Sequence, residues 1–177
     1  TLRKVTFDLR RRDGQWQTLS REAYDRGNGA ALLLYDPRRR TVVLTRQFRL
    51  PAFLNGSADG MLIETCAGLL DGDDPETCIR REAEEETGYR VRQPRKVFEA
   101  YMSPGSVTEK LHFFIAEYEP LDRIRTGGGL AHEGEDIEVI EMPLAEALAG
   151  IGSGVIEDGK TVMLLQHVAL MLQEAAG

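Results

Sequence analysis

Three glutamates, Glu82, Glu85 and Glu86, lie close together in the motif REAEEETGY, and their spacing suits metal chemistry. A helix over residues 75–87 would project all three from one side, beside apolar residues of the same helix. Partly buried carboxylates at this spacing must be protonated, pair with a cation or bind a metal ion. The neighbouring arginines point mostly elsewhere, so the pattern predicts a divalent-metal site.

The helix that carries these glutamates has clear start and stop signals. Asp74 offers an acceptor side chain at the N-cap, and Pro75 suits the first helical position. Gly88 suits the left-handed position just past the last turn. These signals place the helix over residues 75–87.

Composition narrows the expected partners and compartment. The chain has 177 residues, 42% apolar and 29% charged, which is typical of one globular domain. Its net charge of −7 repels nucleic-acid backbones, so no nucleic-acid partner is expected. Cys66 and Cys78 lack the spacing of a zinc site or a disulfide framework, which favours a reducing cytoplasm. No apolar run approaches the ~18 residues of a membrane span and no signal-peptide pattern is present, so we expect no membrane association.

Apolar alternation and turn signals predict the elements around the glutamates. Residues 5–18 are typical of a hairpin, which is marginal alone and must lean on the main domain or on another subunit. Extended segments are predicted over residues 30–35, 41–48, 61–64, 90–92, 96–102, 111–118 and 137–142. Further helices are predicted over residues 143–151 and 160–175, and loops over residues 50–60, 103–109 and 119–136. Strands outnumber well-separated helices, which predicts an α/β fold with a mixed sheet covered by helices.

The segment AGLLDGDDPETCIRREAEEETGY, residues 67–89, resembles the Nudix box. Its second half matches the box pattern completely, whereas Ala67 stands at the box glycine and Asp73 at the first box glutamate. The resemblance implies a Nudix α/β/α sandwich with a mixed central sheet and an N-terminal β-hairpin extension. We expect residues 27–177 to form the Nudix hydrolase domain and residues 1–26 to form the extension, which would pack on a second subunit in a homodimer.

Motifs beyond the box resemble Nudix enzymes that act on nucleoside-diphosphate sugars. The sequence SPG at residues 103–105, followed by Glu109, is similar to that subgroup. The motifs YDRGNGA, RQFR, IETCAGLLD, YMSPGSVTE, GEDIEV and DGKT are similar in order and spacing to its GDP-mannose pyrophosphatase branch. This resemblance implies hydrolysis to a nucleoside monophosphate and a sugar 1-phosphate. The alternatives are an ADP-ribose pyrophosphatase and a non-enzymatic nucleotide-sugar sensor, and the intact box argues against the sensor.

The box also implies a set of ligands for Mg²⁺, with Mn²⁺ as a possible substitute. Glu82 and Glu86 are expected as direct ligands, and Ala67 as a ligand through its backbone carbonyl. Glu85 is expected either as a ligand or as a neighbour of one, and Arg81 is expected to orient a carboxylate. Mg²⁺ prefers oxygen ligands, neutralises pyrophosphate oxygens and lowers the pKa of a bound water.

The reaction needs a general base on a segment that can approach the bound substrate. Glu133 and Glu135, in the predicted loop over residues 119–136, are the first candidates, and Glu133 is also a candidate metal ligand. Glu109 is the rival, either as the base or as a contact to the nucleotide. The sequence leaves the choice among the three open.

Phosphates and the nucleotide need hydrogen-bond donors. Arg49, in RQFR, resembles a substrate-contacting arginine of the family, and a guanidinium can grip phosphate with two parallel hydrogen bonds. Arg21 and Glu22 are candidates for contacts with the base or sugar, including those of a neighbouring subunit, and Lys160 is a further candidate. Glu64, polar at the end of an apolar strand, faces either the metal site or the strand edge.

Overall fold

The computed structural model describes residues 1–175, with every side chain in that range except that of Glu133. The strands are β1 (Leu2–Arg10), β2 (Trp16–Tyr24), β3 (Gly29–Asp36), β4 (Thr41–Phe48), β5 (Met61–Glu64), β6 (Cys66–Leu69), β7 (Arg95–Tyr101), β8 (Lys110–Glu117) and β9 (Glu138–Pro143). The α-helices are α1 (Leu50–Leu54), α2 (Pro75–Glu82), α3 (Leu144–Ser153) and α4 (Gly159–Glu174).

The central sheet contains seven strands in the order β5-β4-β3-β8-β7, with β6 added to β3 and β9 added to β4. Strand β3 runs parallel to β8, and the other pairings are antiparallel. All eight residues of β3 are buried, as expected for a strand covered on both faces. The two ends of β3 therefore mark two ends of the sheet: the first lies beside β6, and the second leads into the turn to β4.

Helices cover both faces of the sheet. On one face, Cys78 and Ile79 of α2 pack in a cluster with Leu32 of β3. On the other face, Leu164 of α4 packs in a cluster with Leu33, the next residue of β3, because neighbouring strand residues point to opposite sides. This arrangement confirms the predicted α/β sandwich. None of the helices in the described chain combines the length and apolarity needed to cross a membrane.

The glutamate helix begins as predicted and changes its winding before it ends. The side chain of Asp74 accepts hydrogen bonds from the first turn, and Gly88 has the expected positive φ of 78°. After α2, the residues Ala83–Thr87 form a π-helical turn. Such wider turns are rare and are frequently found at functional sites, and here the turn carries Glu85 and Glu86.

Three local predictions differ from the structure. The sequence predicts a loop over residues 50–60, yet this segment contains α1, because the proline in its first turn has a φ already suited to a helix. No strand occurs at residues 90–92 of the described chain, because the backbone pairing there stops at one isolated antiparallel bridge between Tyr89 and Arg123. Residues 119–136 form a long connection as predicted, but short 3₁₀ turns interrupt it at Pro120–Asp122 and Ala131–Glu133.

The N-terminal hairpin projects from the sandwich. Its strands β1 and β2 pair without a break from Leu2–Tyr24 to Arg10–Trp16, and all nine residues of β1 are exposed. Backbone hydrogen bonds join Tyr24 to Ser106 and Thr108, in the loop before β8. The hairpin is thus tied to the domain at its base while its apolar residues remain uncovered in the single chain.

Candidate active site

Glu86 is the most buried member of the acidic run, with 2% of its surface exposed. Its Oε2 accepts a hydrogen bond from the backbone N–H of Ala67, 3.3 Å away. Burial, assisted by the charges of Glu82 and Glu135, raises the pKa of Glu86 to about 8, although a hydrogen bond with Cys66 acts in the opposite direction. A carboxylate in this environment holds a proton near neutral pH unless a cation takes the proton's place.

A glycine lets the acidic helix approach the sheet. A Cβ placed on Gly68 of β6 would lie 2.2 Å from Cδ of Glu82, so any side chain there would displace this carboxylate. Gly68 follows Ala67, the predicted carbonyl ligand, and the two residues therefore meet Glu82 and Glu86 from the strand side. This steric role depends on how closely α2 approaches β6, which the sequence alone does not show.

Arg81 holds the outer carboxylates of the run. Its Nη1 lies 3.0 Å from Oε1 of Glu82 and 3.3 Å from Oε2 of Glu85, as expected for a residue that orients carboxylates. Its Nε lies 3.8 Å from Oδ2 of Asp73. Asp73, which replaces the first glutamate of the box, thus forms an ion pair between the preceding loop and the helix.

The glycine-rich connection is bound to the end of the glutamate helix. The backbone N–H of Gly128 donates to the carbonyl of Glu86 at 2.9 Å, and the N–H of Gly129 donates to the carbonyl of Glu85 at 3.1 Å. These bonds bring Glu135 near Glu86, and the carboxylate of Glu135 accepts from a backbone N–H of its own loop. Of the two loop candidates, the side chain of Glu133 lies outside the described part of the structure.

A second group of charges surrounds Glu64. Arg49 donates from Nε and Nη2 to the two oxygens of Glu64, at 2.7 and 2.9 Å, and Lys160 donates from Nζ at 2.6 Å. Burial alone would raise the pKa of Glu64, but Arg49 and Lys160 outweigh burial and hold that pKa below its usual range. The predicted substrate-binding residues Arg49 and Lys160 therefore meet at one carboxylate.

The remaining candidates lie near the hairpin. Glu109 precedes β8, and its Oε1 lies 3.6 Å from Nε of Arg26. Arg21 and Glu22 lie on the exposed strand β2, where Arg21 donates from Nη1 to the carbonyl of Ser20. Within the described side chains, none of the three is hydrogen-bonded to the glutamates of the box.

A large cavity lies at the other end of the sheet. It measures about 1040 Å³ and is lined by residues including Tyr35, Arg39, Arg92 and Tyr118, none of which is a predicted site residue. Among the described residues, no group of three or more His, Cys, Asp or Glu is arranged closely enough to hold a metal ion. The acidic run therefore has the donor chemistry for a metal, but its outer carboxylates are turned toward Arg81.

Comparisons with known proteins match most of the chain. Residues 25–165 match the family model described as NUDIX domain, and residues 1–24 match the model described as GDP-mannose pyrophosphatase NudK N-terminal domain. The chain is 61% identical over 168 residues to the GDP-mannose pyrophosphatase of Salmonella arizonae, covering 95% of this chain and 87% of that protein. It is 60% identical over 169 residues to the protein of the same name from Cronobacter sakazakii, covering 96% and 87%. The corresponding protein of Escherichia coli O1:K1 / APEC is 58% identical over 170 residues, covering 96% and 88%.

Proposed function

We infer the function of this chain from the fact that it belongs to the NUDIX domain family. It is a pyrophosphohydrolase that cleaves the pyrophosphate bond of a nucleoside-diphosphate sugar, with GDP-mannose as the favoured substrate. The products are a nucleoside monophosphate and a sugar 1-phosphate. The relatives named GDP-mannose pyrophosphatase support this substrate, since one of them is 61% identical over 95% of this chain and residues 1–24 match the N-terminal domain described for GDP-mannose pyrophosphatase.

One observation carries the chemical part of the proposal. Glu86 is buried beside Glu82 and Glu135, and its pKa is raised to about 8. An apolar side chain would pack there at lower cost than a buried carboxylate flanked by like charges. The arrangement makes chemical sense if a divalent cation occupies the site during catalysis.

The acidic run fits Mg²⁺, with Mn²⁺ as a substitute, by its donor chemistry. Glu82 and Glu86 would bind the ion directly, Ala67 would contribute its carbonyl oxygen, and Glu85 would act as a further ligand or hold one. Glu82 and Glu85 would exchange Arg81 for the ion. When bound, the cation neutralises the anionic oxygens of the pyrophosphate and lowers the pKa of a coordinated water.

Glu135 is the favoured general base, because it shares the electrostatic environment of Glu86 and lies in the connection bound to the helix end. Its role is to accept a proton from the attacking water. Glu133 remains a candidate for the same role or for a metal ligand. Glu109 remains a candidate base and a candidate contact to the nucleotide.

Arg49 and Lys160 are proposed to bind the anionic diphosphate. Both keep N–H groups beyond those used by Glu64, since a guanidinium has five N–H donors and an ammonium has three. Charge-assisted hydrogen bonds from these groups would orient the phosphates beside the acidic run. The free, buried thiols of Cys66 and Cys78 support a reducing, cytoplasmic setting for the reaction.

The hairpin within residues 1–26 is proposed to join the domain of residues 27–177 to a second copy in a homodimer. Val5, Phe7 and Leu9 alternate along β1 and are 39–47% exposed, which gives the hairpin an uncovered apolar face. An isolated two-stranded hairpin is marginal in water, so a partner surface would stabilise it. In that dimer, Arg21 and Glu22 would reach the substrate of the neighbouring subunit.

A substrate panel tests the proposed activity. GDP-mannose, ADP-ribose, other sugar nucleotides and free GDP are each incubated with the enzyme and Mg²⁺, and the released monophosphate is measured. We expect GDP-mannose to be turned over with the highest kcat/KM, EDTA to abolish turnover, and Mn²⁺ to restore it. Faster turnover of ADP-ribose would make ADP-ribose the favoured substrate in place of GDP-mannose. Binding of sugar nucleotides without any turnover would indicate a sensor.

Light scattering during size exclusion tests the dimer. We expect the full chain to have twice the mass of the monomer, and both deletion of residues 1–20 and the substitution Phe7→Asp to yield a folded monomer. Thr6→Asp, the neighbouring position on the other face of β1, is the matched control and should leave the dimer intact, because the hydroxyl of Ser20 opposite can donate to the new carboxylate. An undisturbed dimer after the deletion would contradict the proposal.

A further inference from the structure

The group centred on Glu64 joins three distant elements through one buried carboxylate. Glu64 ends β5 and has only 1% of its surface exposed. Arg49 immediately precedes α1, and Lys160 lies in the first turn of α4. The three charge-assisted hydrogen bonds between them, of 2.6 to 2.9 Å, are short enough to fix both cations in place.

A second layer of contacts fixes the surroundings of Lys160. Its Nζ lies 2.9 Å from Oδ1 of Asp158, whose Oδ2 accepts from the N-terminal turn of α4 at Thr161. The hydroxyl of Thr161 in turn accepts from the backbone N–H of Thr65, the residue after Glu64, at 2.7 Å. The start of α4 is therefore locked to the junction of β5 and β6, directly before Ala67.

Each cation keeps hydrogen-bonding capacity for another anion. Glu64 occupies the Nε and Nη2 edge of Arg49, while Nη1 has no hydrogen bond to any described residue. The side chain of Arg49 is 39% exposed even though its partner carboxylate is buried. Arg49 also interacts electrostatically with Glu86, which places the guanidinium near the acidic run.

The stability gained by packing does not by itself explain why this charged group is buried. Buried ion pairs are often no more stabilising than apolar side chains of similar volume, because desolvation offsets their attraction. A carboxylate that holds two cations at one spacing, however, gives an anionic ligand a preformed pair of partners. Such preorganisation lowers the entropy that is lost when a ligand binds.

We propose that Glu64 is a positioning residue that holds Arg49 and Lys160 as one preformed receptor for the diphosphate of the substrate. The inference rests on the proposed function for the identity of the substrate. Glu64 does not touch the substrate, and it acts through the two cations. Its loss should therefore weaken binding of the diphosphate more than it slows the reaction of the bound substrate.

The test compares Glu64→Gln with the matched control Asp36→Asn. Asp36 is also a buried carboxylate that binds an arginine, Arg39, but it lies at the opposite end of β3. KM and kcat are measured with GDP-mannose and Mg²⁺, and the Kd of GDP is measured separately by calorimetry in EDTA. We expect Glu64→Gln to raise KM and the Kd of GDP about tenfold, equivalent to about 1.4 kcal/mol, while kcat stays within about threefold. Asp36→Asn should leave all three values near those of the natural chain.

A double-mutant cycle separates positioning from a general effect on folding. In the Arg49→Ala background, Glu64→Gln should change KM and the Kd of GDP less than it does in the natural background, because only Lys160 is left for Glu64 to hold. Equal effects of Glu64→Gln in both backgrounds, or an unchanged KM and Kd, would overturn the proposal. If Glu64→Gln does not fold, Glu64→Asp takes its place, with a smaller rise in KM expected at unchanged kcat.

The two proposals fail in different ways. An enzyme that turns over no sugar nucleotide would contradict the proposed function, yet the Kd of GDP would still report on the receptor. An active enzyme in which Glu64→Gln and Asp36→Asn behave alike would contradict only the positioning role.

Discussion

Two buried glutamates of this protein, Glu64 and Glu86, have opposite electrostatic environments. Both are at most 2% exposed, and both lie at the end of the sheet that carries β6. Glu64 is paired with Arg49 and Lys160, and its pKa is lowered. Glu86 is flanked by Glu82 and Glu135, and its pKa is raised to about 8.

The difference indicates which cations the protein supplies and which it must acquire. The chain neutralises Glu64 with its own side chains, at the price of desolvating three charges. Glu86, in contrast, is neutralised by a bound proton or by an added cation. A buried anion with a built-in partner suits a structural or positioning role, whereas one lacking such a partner suits a site that binds and exchanges a metal.

The largest expected effect is on catalysis at Glu86. Glu86→Gln removes a proposed metal ligand while keeping the side-chain volume, and it should lower kcat with GDP-mannose about 10³-fold, since metal assistance contributes several kcal/mol. Steady-state kinetics at saturating Mg²⁺ provide the measurement. Retention of more than about a tenth of the natural kcat would contradict the difference between Glu86 and Glu64, because the reaction would then not depend on a cation bound at Glu86.

The next effect concerns the strand side of the acidic run. Gly68→Ala places a methyl group 2.2 Å from Cδ of Glu82, so the carboxylate must move. A displacement of about 1 Å can reduce turnover about 10²-fold, and we expect a loss of that order in kcat. Gly152→Ala, a helical position with nothing within 4 Å of the added Cβ, is the control and should leave kcat unchanged. Equal kcat values for the two variants would contradict the assignment of Glu82 to the active site.

The same substitution at the two glutamates should change stability in opposite directions. In EDTA, Glu64→Gln leaves two cations without their shared anion and should lower the free energy of unfolding by about 2 kcal/mol, less than for fully buried pairs because water reaches Arg49. Glu86→Gln replaces a carboxyl group that burial forces to hold a proton with a neutral amide, and it should keep or raise that free energy. Urea denaturation monitored by circular dichroism measures the free energy of unfolding of both variants. An equal loss of stability in Glu86→Gln would contradict the proposed difference between the two glutamates.

The most gradual effect is a dependence of stability on pH. Because the pKa of Glu86 is raised to about 8, the folded metal-free chain keeps a proton that the unfolded chain has lost above its ordinary pKa of about 4.3. Stability should therefore fall as pH rises from about 5 to 8, by up to about 1 kcal/mol per pH unit. Glu64, with its lowered pKa, should contribute in the opposite sense, and its contribution is lost only as pH falls below about 4. Urea melts across this range should show the slope between pH 5 and 8 in the natural chain and lose it in Glu86→Gln.

The local parts of this account could be predicted from sequence. Asp74, Pro75 and Gly88 determine the ends of the glutamate helix through short-range hydrogen bonds and backbone preferences, and the structure confirms them. Strand β4 likewise agrees with the prediction over residues 41–48, because its buried apolar run has a clear start and end. The same helix signals did not predict the π-helical turn.

The contacts between distant elements could not be predicted. Residues 49, 64 and 160 meet only after three elements have packed. The sequence pattern therefore predicts Arg49 and Lys160 as two separate donors, and it leaves open which way Glu64 faces. The close approach of Gly68 to Glu82 depends on how α2 lies over β6. Which glutamate is buried also depends on packing, and residues with the same side-chain chemistry in one run differ widely in exposure.

The most direct test of the acidic site is a Mn²⁺ titration by calorimetry at pH 7, in buffers of different ionisation enthalpy. The natural chain should bind Mn²⁺ and release a proton, because the ion replaces the proton held by Glu86. Glu86→Gln should bind at least about tenfold more weakly with no proton released, whereas Glu64→Gln should bind within about threefold of the natural chain. Equal affinity and equal proton release in Glu86→Gln and the natural chain would contradict the assignment of Glu86 to a metal site.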